Sequence, residues 1–173
     1  MPIEQIKLVV DYGIIGMLIL MSILTFTFAI ERLLFYHSVK LANYKHKLEL
    51  ELDLTKRLGS IASIGSNAPF IGLLGTVLAI ILTFYIIGDK QNDIDTGEIM
   101  KHLALALKAT AAGLVVAIPA TVIYNALIGK VDRLIAQWEI LQDEKQKKAE
   151  KVDNLFAKWQ SLQEEKQKKV EKK

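Results

Sequence analysis

Residues 68–88 read APFIGLLGTVLAIILTFYIIG, and residues 102–125 read HLALALKATAAGLVVAIPATVIYN. Each is apolar over about 20 residues or more, the length that crosses a hydrocarbon core at ~1.5 Å of rise per residue. Neither is uniformly apolar. In the first, Gly72, Thr76, Ala79 and Thr83 follow one another at steps of four, three and four. In the second, Ala106, Thr110, Gly113, Ala117 and Thr121 keep the same rule. Such steps gather residues on one face of an α-helix. Each segment is therefore expected to be a membrane helix with a narrow stripe of small and hydroxyl side chains. Lipid gives no reason for such a stripe. Close helix packing does, because small residues let backbones approach and threonine hydroxyls bond back to their own helix. A narrow polar pore does too, and recurrence of the stripe on two successive helices keeps both readings open.

Outward from these two segments, residues 12–36 hold another long apolar run. Only Lys7 is basic ahead of it, and Phe28-Ala29-Ile30-Glu31-Arg32 does not resemble a small-x-small cleavage site, so a retained helix is expected. Glu31 and Arg32 mark its wet end. Between the second and third apolar segments lies GDKQNDIDTG, whose Asp89, Asp93 and Asp95, with Glu98 beyond, face Lys90 alone. Asp95 and Glu98 have the spacing of a capping box. The lysine-rich segments follow the first and third spans, so the acidic loop is expected on the non-cytoplasmic side. The resulting fold class is all-α, a polytopic membrane protein with three transmembrane helices, N-out and C-in. The divisions are a lead over 1–11, helix 1 over 12–36, a cytoplasmic helical segment over 37–66, helix 2 over 67–88, an outer loop over 89–98, helix 3 over 99–129 and a cytoplasmic charged helix over 130–173. A break is expected near Gly59-Ser60 or Gly65-Ser66. Pro69 is placed near a helix start, where its missing N–H breaks nothing. Pro119 lies inside helix 3 and removes a bond to the Val115 carbonyl.

The last segment repeats. WEILQDEKQKKAEK from Trp138 recurs as WQSLQEEKQKKVEK from Trp159, an offset of 21 residues, or three heptads. One heptad frame collects Val131, Leu134, Trp138, Leu141, Val152, Leu155, Trp159 and Leu162, interrupted by Lys145, Lys148, Lys166 and Lys169. The tail reads either as a helix that bundles with copies of itself or as a solvated charged extension, fraying after Glu164.

Composition narrows the chemistry. The 173 residues contain no cysteine, which removes disulfides and thiolate metal sites. A pI near 9.0 comes from lysines beside membrane spans and in a mixed-charge tail, with no basic stripe interleaved with aromatics for nucleic acid. His37, His46 and His102 are scattered over both expected sides of the membrane, and no GxSxG, GxxxxGK[ST] or GxGxxG is present. No enzyme, metal or cofactor is expected. No Asp or Glu lies deep in a span. A threonine hydroxyl can pass a proton but cannot hold a charge near neutral pH. If the bundle uses an ion gradient, another subunit supplies the titratable carboxylate. Lys108 is the one formal charge well inside a span: it either snorkels to the acidic end or meets a partner carboxylate or polar cavity.

At these residues the chain resembles the ExbB/TolQ/MotA family of proton-driven motor subunits. Ala68-Pro69 through Gly72 and Gly75-Thr76-Val77 resemble the family's second-span signature. Ala109-Thr110-Ala111, Gly113-Leu114, Ala117-Ile118-Pro119-Ala120 and Tyr124-Asn125 resemble the third, the ending looking most like the ExbB branch. The resemblance implies an inner-membrane protein that assembles as a ring, typically a homopentamer, around transmembrane helices of ExbD. With ExbD and TonB it would couple proton-motive force to active uptake across the outer membrane, which makes the non-cytoplasmic side periplasmic. It further implies that Thr76 and Thr110 line the proton pathway, facing an ExbD aspartate, with Gly72, Ala79, Thr83, Ala106, Gly113, Ala117 and Thr121 as the supporting stripe. Leu105 stands where many ExbB and TolQ proteins carry a glutamate, so any role of that glutamate does not transfer; Lys108, three residues on, is a candidate charge partner. A TolQ-type motor for envelope maintenance and a non-conducting membrane scaffold are the alternatives.

Overall fold

In a computed structural model, the backbone is described over residues 3–89 and 96–171, and side chains over 12–88, 96–97 and 99–162. Every regular element among these residues is helical: α1 (Ile3–Ser38), one 3₁₀ turn (Leu41–Asn43), α2 (Lys47–Thr55), α3 (Leu58–Asp89) and α4 (Thr96–Glu171). Three of them carry stretches long and apolar enough to cross a membrane: Tyr12–Ser38 in α1, Leu58–Gly88 in α3, and part of Ile99–Leu162 in α4. Ile23, Phe26, Leu73, Phe84, Val115 and Ile118 are all at least half exposed. That surface suits lipid or another apolar partner and would be a liability in water. The capping box expected from Asp95 lies outside the described residues.

The helix break stands two residues before Gly59, near the first of its two expected places and away from the second. Gly59 and Gly65 both lie inside α3, and the chain turns instead at Lys56-Arg57. Arg57 has φ 65°, a left-handed backbone that costs a non-glycine residue about 1–2 kcal/mol. Its guanidinium is held on the Glu31 carboxylate of α1 and lies over the Phe28 ring. A tertiary ion pair thus joins the turn to α1. Pro69 likewise stands well inside α3, eleven residues past its start at Leu58, so it leaves one carbonyl of the helix interior without its usual partner. At the other end of the chain, α4 continues past Glu164 to Glu171.

Two compact units can be told apart. The first takes Met1–Val39 and Leu52–Val131. Its core joins α1, α3 and α4 through Leu18, Ala68 and Ala117, with Ile14, Met21, Ile71, Ala112 and Val116 packed around them. Alanine at the α3 and α4 positions lets the helices approach, and Leu18 of α1 fills the space that remains. Further along α1, the hydroxyl of Tyr36 donates to the Leu54 carbonyl at 2.7 Å, and Arg32 donates to the Asp53 carbonyl at 3.0 Å. Both carbonyls belong to the last turn of α2, where no intrahelical donor is available. Side chains of α1 therefore cap α2 from outside.

The second unit takes Lys40–Glu51 and Asp132–Lys173. There the Trp138 indole N–H donates to the Tyr44 carbonyl at 3.1 Å, and the Gln142 amide reaches the same oxygen at 3.4 Å. Lys47 pairs with Glu139 at 2.6 Å. The hydrogen bond and charge of Glu139 raise the Lys47 pKa above its ordinary value. The pair's contribution is therefore complete at neutral pH and is lost only as pH rises through that raised value. Both groups are half exposed, so the contribution is small.

Candidate functional site

The two small-residue stripes face each other across the α3–α4 contact. Their centre is a glycine crossing. A Cβ on Gly72 would stand 2.6 Å from the Ala109 carbonyl oxygen and 3.1 Å from the Gly113 Cα. A Cβ on Gly113 would meet the Ala68 carbonyl oxygen at 2.6 Å. Only hydrogen fits on either side, so the two backbones touch directly.

That approach brings two hydroxyls together. Thr76 Oγ1 and Thr110 Oγ1 are 2.5 Å apart. Thr76 Oγ1 also lies 3.3 Å from the carbonyl oxygens of Gly72 and Ala106, and Thr110 Oγ1 lies 3.4 Å from that of Gly72. Two hydroxyl protons thus share two hydroxyl oxygens and two carbonyls. Either threonine can donate to the other while its partner donates to the backbone, so the chain of bonds can run in both directions. Thr76 is 7 % exposed and Thr110 half-buried, so the pair sits inside the contact with its Thr110 side nearer the surface.

The remaining stripe residues divide. Ala79, Ala106 and Ala117 are buried as spacers. Thr83 is buried but bonds back to the Ala79 carbonyl of its own helix at 2.7 Å, and Thr121 does the same to Ala117 at 2.9 Å. Among the described residues neither hydroxyl is bonded to a second helix. Sequence spacing placed all nine residues on two faces, but it did not show that the faces meet within one chain. It also passed over Gly65, Gly75 and Ala109, which belong to the contact. A Cβ on Gly65 would lie 2.8 Å from Thr121 Oγ1, and one on Gly75 would lie 2.8 Å from the Ala109 Cβ. Gly65 and Gly75 continue the stepwise small-residue pattern, which was the available signal.

Lys108 is exposed and lines a cleft with Tyr12, Ile14 and Ile15 of α1, Gly75 and Ala79 of α3, and Leu105. None of the three ion pairs among the described side chains involves it. Also among the described residues, no group of three His, Asp or Glu side chains is placed to hold a metal ion. The site therefore offers hydroxyls, carbonyls and one nearby ammonium. It can relay a proton or solvate a carboxylate. The residues of its two spans supply no carboxylate of their own.

Comparison with known proteins gives the same direction. The model of a family described as the MotA/TolQ/ExbB proton channel family matches residues 26–140. A biopolymer transport protein ExbB of Aquifex aeolicus is 55 % identical over 141 residues, covering 82 % of this chain and 95 % of that protein. A putative biopolymer transport protein ExbB-like 2 of Helicobacter pylori is 54 % identical over 134 residues, 78 % of this chain and 89 % of the relative. A Tol-Pal system protein TolQ of Pseudomonas aeruginosa is 33 % identical over 108 residues, 62 % of this chain and 44 % of that protein.

Proposed function

Because the chain belongs to the MotA/TolQ/ExbB proton channel family, we propose that it is an ExbB-type motor subunit of the bacterial inner membrane. It works with ExbD- and TonB-type partners to turn proton-motive force into active uptake across the outer membrane. The ExbB of Aquifex aeolicus and the ExbB-like 2 of Helicobacter pylori match it at higher identity and over more of their length than the TolQ relative does, which favours this branch. In this reading the chain crosses the membrane three times, N-out and C-in, with spans at 12–36, 67–88 and 99–129, as the basic segments on one side favour. Copies form a ring, a pentamer by family resemblance, around transmembrane helices of the ExbD-type partner.

The observation that carries the reading is the Thr76–Thr110 hydroxyl pair: a dipolar, reversible donor–acceptor chain on membrane helices that hold no acid themselves. A proton crossing a membrane needs a group that can be charged and then neutral, and a carboxylate on a partner helix provides that. Beside the pair, the carboxylate form accepts a hydrogen bond from a threonine hydroxyl, while the protonated form donates one to a threonine oxygen. The site thus serves both charge states without rearranging its backbone. Lys108, near the outer end of helix 3, would add a positive charge along the approach.

The test is complementation. The chain is expressed with ExbD- and TonB-type partners from one genome in a strain lacking its own, and energised uptake is measured with and without a protonophore. Protonophore-sensitive uptake is the expected result. Restored envelope integrity without uptake would assign the TolQ branch instead. A complex that forms but restores neither would identify a non-conducting scaffold.

A further inference from the structure

The tail of α4 presents an apolar seam with a period that only another helix can use. Val152, Leu155, Trp159 and Leu162 recur at steps of three, four and three. Every one of them is more than half exposed, as is Phe156, whose ring lies tilted beside Trp159 with centroids 6.0 Å apart. The family match ends at residue 140, so what this segment does is not accounted for by the motor reading. Its internal repeat gives a clue. In the first copy, Trp138 is buried and anchored with Gln142 on the Tyr44 carbonyl. The second copy, offset by 21 residues, carries Trp159 and Gln163 at the equivalent places, but Trp159 is 56 % exposed. The chain has thus duplicated a docking element without a second internal platform for it among the described residues.

We propose that the stretch from Leu141 to Leu162 is a parallel coiled-coil seam joining copies of this chain. The repeat length is three heptads, so equivalent residues return to one face only if the helix supercoils against a neighbour at about 3.5 residues per turn. A membrane surface imposes no such period, and Glu150 and Asp153 interrupt the basic residues that anionic headgroups would attract. Copies inserted the same way in one membrane present their tails in parallel. In register, the positions flanking the seam pair Glu144 with Ala149, Lys151 with Phe156, and Lys158 with Gln163, so no like charges oppose each other at those flanking positions. Phe156 widens the apolar face beyond the narrow two-residue seam, which suits more than two strands. Lys145 and Lys148 lie on the seam itself, where each meets its own counterpart in the neighbouring copy; their stems pack while the ammonium groups turn out to water, and such polar insertions fix register at a cost in stability. The inference rests on the motor reading only in requiring several copies in one membrane. Tethering by the membrane segments raises the tails' effective concentration, so even a weak seam closes.

The chain has no cysteine, so single cysteines report without background. Full-length Leu155→Cys, Leu162→Cys and Ala157→Cys variants are oxidised in native membranes. The first two substitutions lie on the seam and the third on the opposite side. Disulfide-linked dimers at 155 and 162, and their absence at 157, are expected. Adding Leu155→Glu to Leu162→Cys should abolish the dimer, whereas adding Ala157→Glu should leave it. Equal cross-linking at all three positions, or none at any, overturns the proposal. So does protection of the cysteines from a soluble maleimide by anionic phospholipid vesicles without disulfide formation, which would place the tail on lipid. The oligomeric mass of the solubilised full chain separates the two readings. An oligomer without seam cross-links sinks only the seam, while a monomer sinks the ring as well.

Discussion

The Thr76 and Thr110 hydroxyls face each other at 2.5 Å across a crossing at which Gly72 and Gly113 let two backbones touch. Each hydroxyl has a carbonyl within 3.4 Å to fall back on, Gly72 for both and Ala106 for Thr76 as well. Removing one hydroxyl therefore does not strand the other. The pair combines a packing role, which it could fill as valines, with a polar role, which it could not. That separation makes the site testable.

Thr76→Val and Thr110→Val are expected to assemble normally and lose energised uptake. Valine keeps the branched shape, so the loss in stability is that of one net hydrogen bond, about 1 kcal/mol. A partner carboxylate deprived of a hydroxyl would be mis-tuned by about 1–3 kcal/mol, enough to slow a proton step by roughly 5- to 150-fold. Thr83→Val and Thr121→Val remove only a bond within one helix and should leave uptake near normal. Uptake assays with parallel checks of membrane assembly decide this. Normal uptake in both Thr76→Val and Thr110→Val would reduce the stripes to packing surfaces.

Glycine substitutions should divide sharply by position. Gly72→Ala and Gly113→Ala each drive a methyl to 2.6 Å from a backbone carbonyl oxygen, which cannot move aside without parting the helices. A loss of about 1–3 kcal/mol or more is expected. Gly129→Ala has nothing within 4 Å and should instead stabilise helix α4 by about 0.5–1 kcal/mol. Thermal unfolding in detergent measures both. A tolerated Gly113→Ala would mean that the α3–α4 crossing is looser than the structure gives.

Much of this was legible before any coordinates, because membrane helices declare themselves by length and their contacts by small residues. The stripes from Gly72 to Thr83 and from Ala106 to Thr121 could be read directly, as could the helical tail. What could not be read was that the stripes face each other, since spacing gives a face and not its neighbour. The turn at Arg57 was illegible for a different reason. Gly59 and Gly65 carry the local signal for a break, yet the left-handed residue is Arg57, whose side chain meets Glu31, 26 residues earlier in the chain. Pairing that distant leaves no mark in a local window.

In the second unit, Trp138→Phe keeps the ring but removes the indole donor to the Tyr44 carbonyl. Gln142 already reaches that oxygen, so the expected cost is modest, about 1 kcal/mol. The double substitution Trp138→Phe with Gln142→Leu should cost more than the two single losses combined, because only then does the carbonyl lose both of these donors. Limited proteolysis between residues 40 and 46 provides a readout, with cleavage accelerating most in the double variant. Additive effects would show that water replaces both donors equally well.

The capping of α2 by α1 gives the last expectation. Leu54 is fully buried, so in Tyr36→Phe its carbonyl loses the hydroxyl at 2.7 Å with no water at hand to replace it. A bare buried acceptor costs about 1–3 kcal/mol. Arg57→Gly pits two smaller effects against each other. Glycine relieves a left-handed backbone worth about 1–2 kcal/mol, but the exposed ion pair with Glu31, which contributes little, and the contact over Phe28 are lost. Arg57→Gly should therefore be neutral or slightly stabilising, and Tyr36→Phe clearly destabilising. Unfolding of the detergent-solubilised chain gives the order. If Arg57→Gly proved the more damaging of the two, the ion pair to Glu31, and not the hydrogen bond from Tyr36, would be what holds the turn into α3.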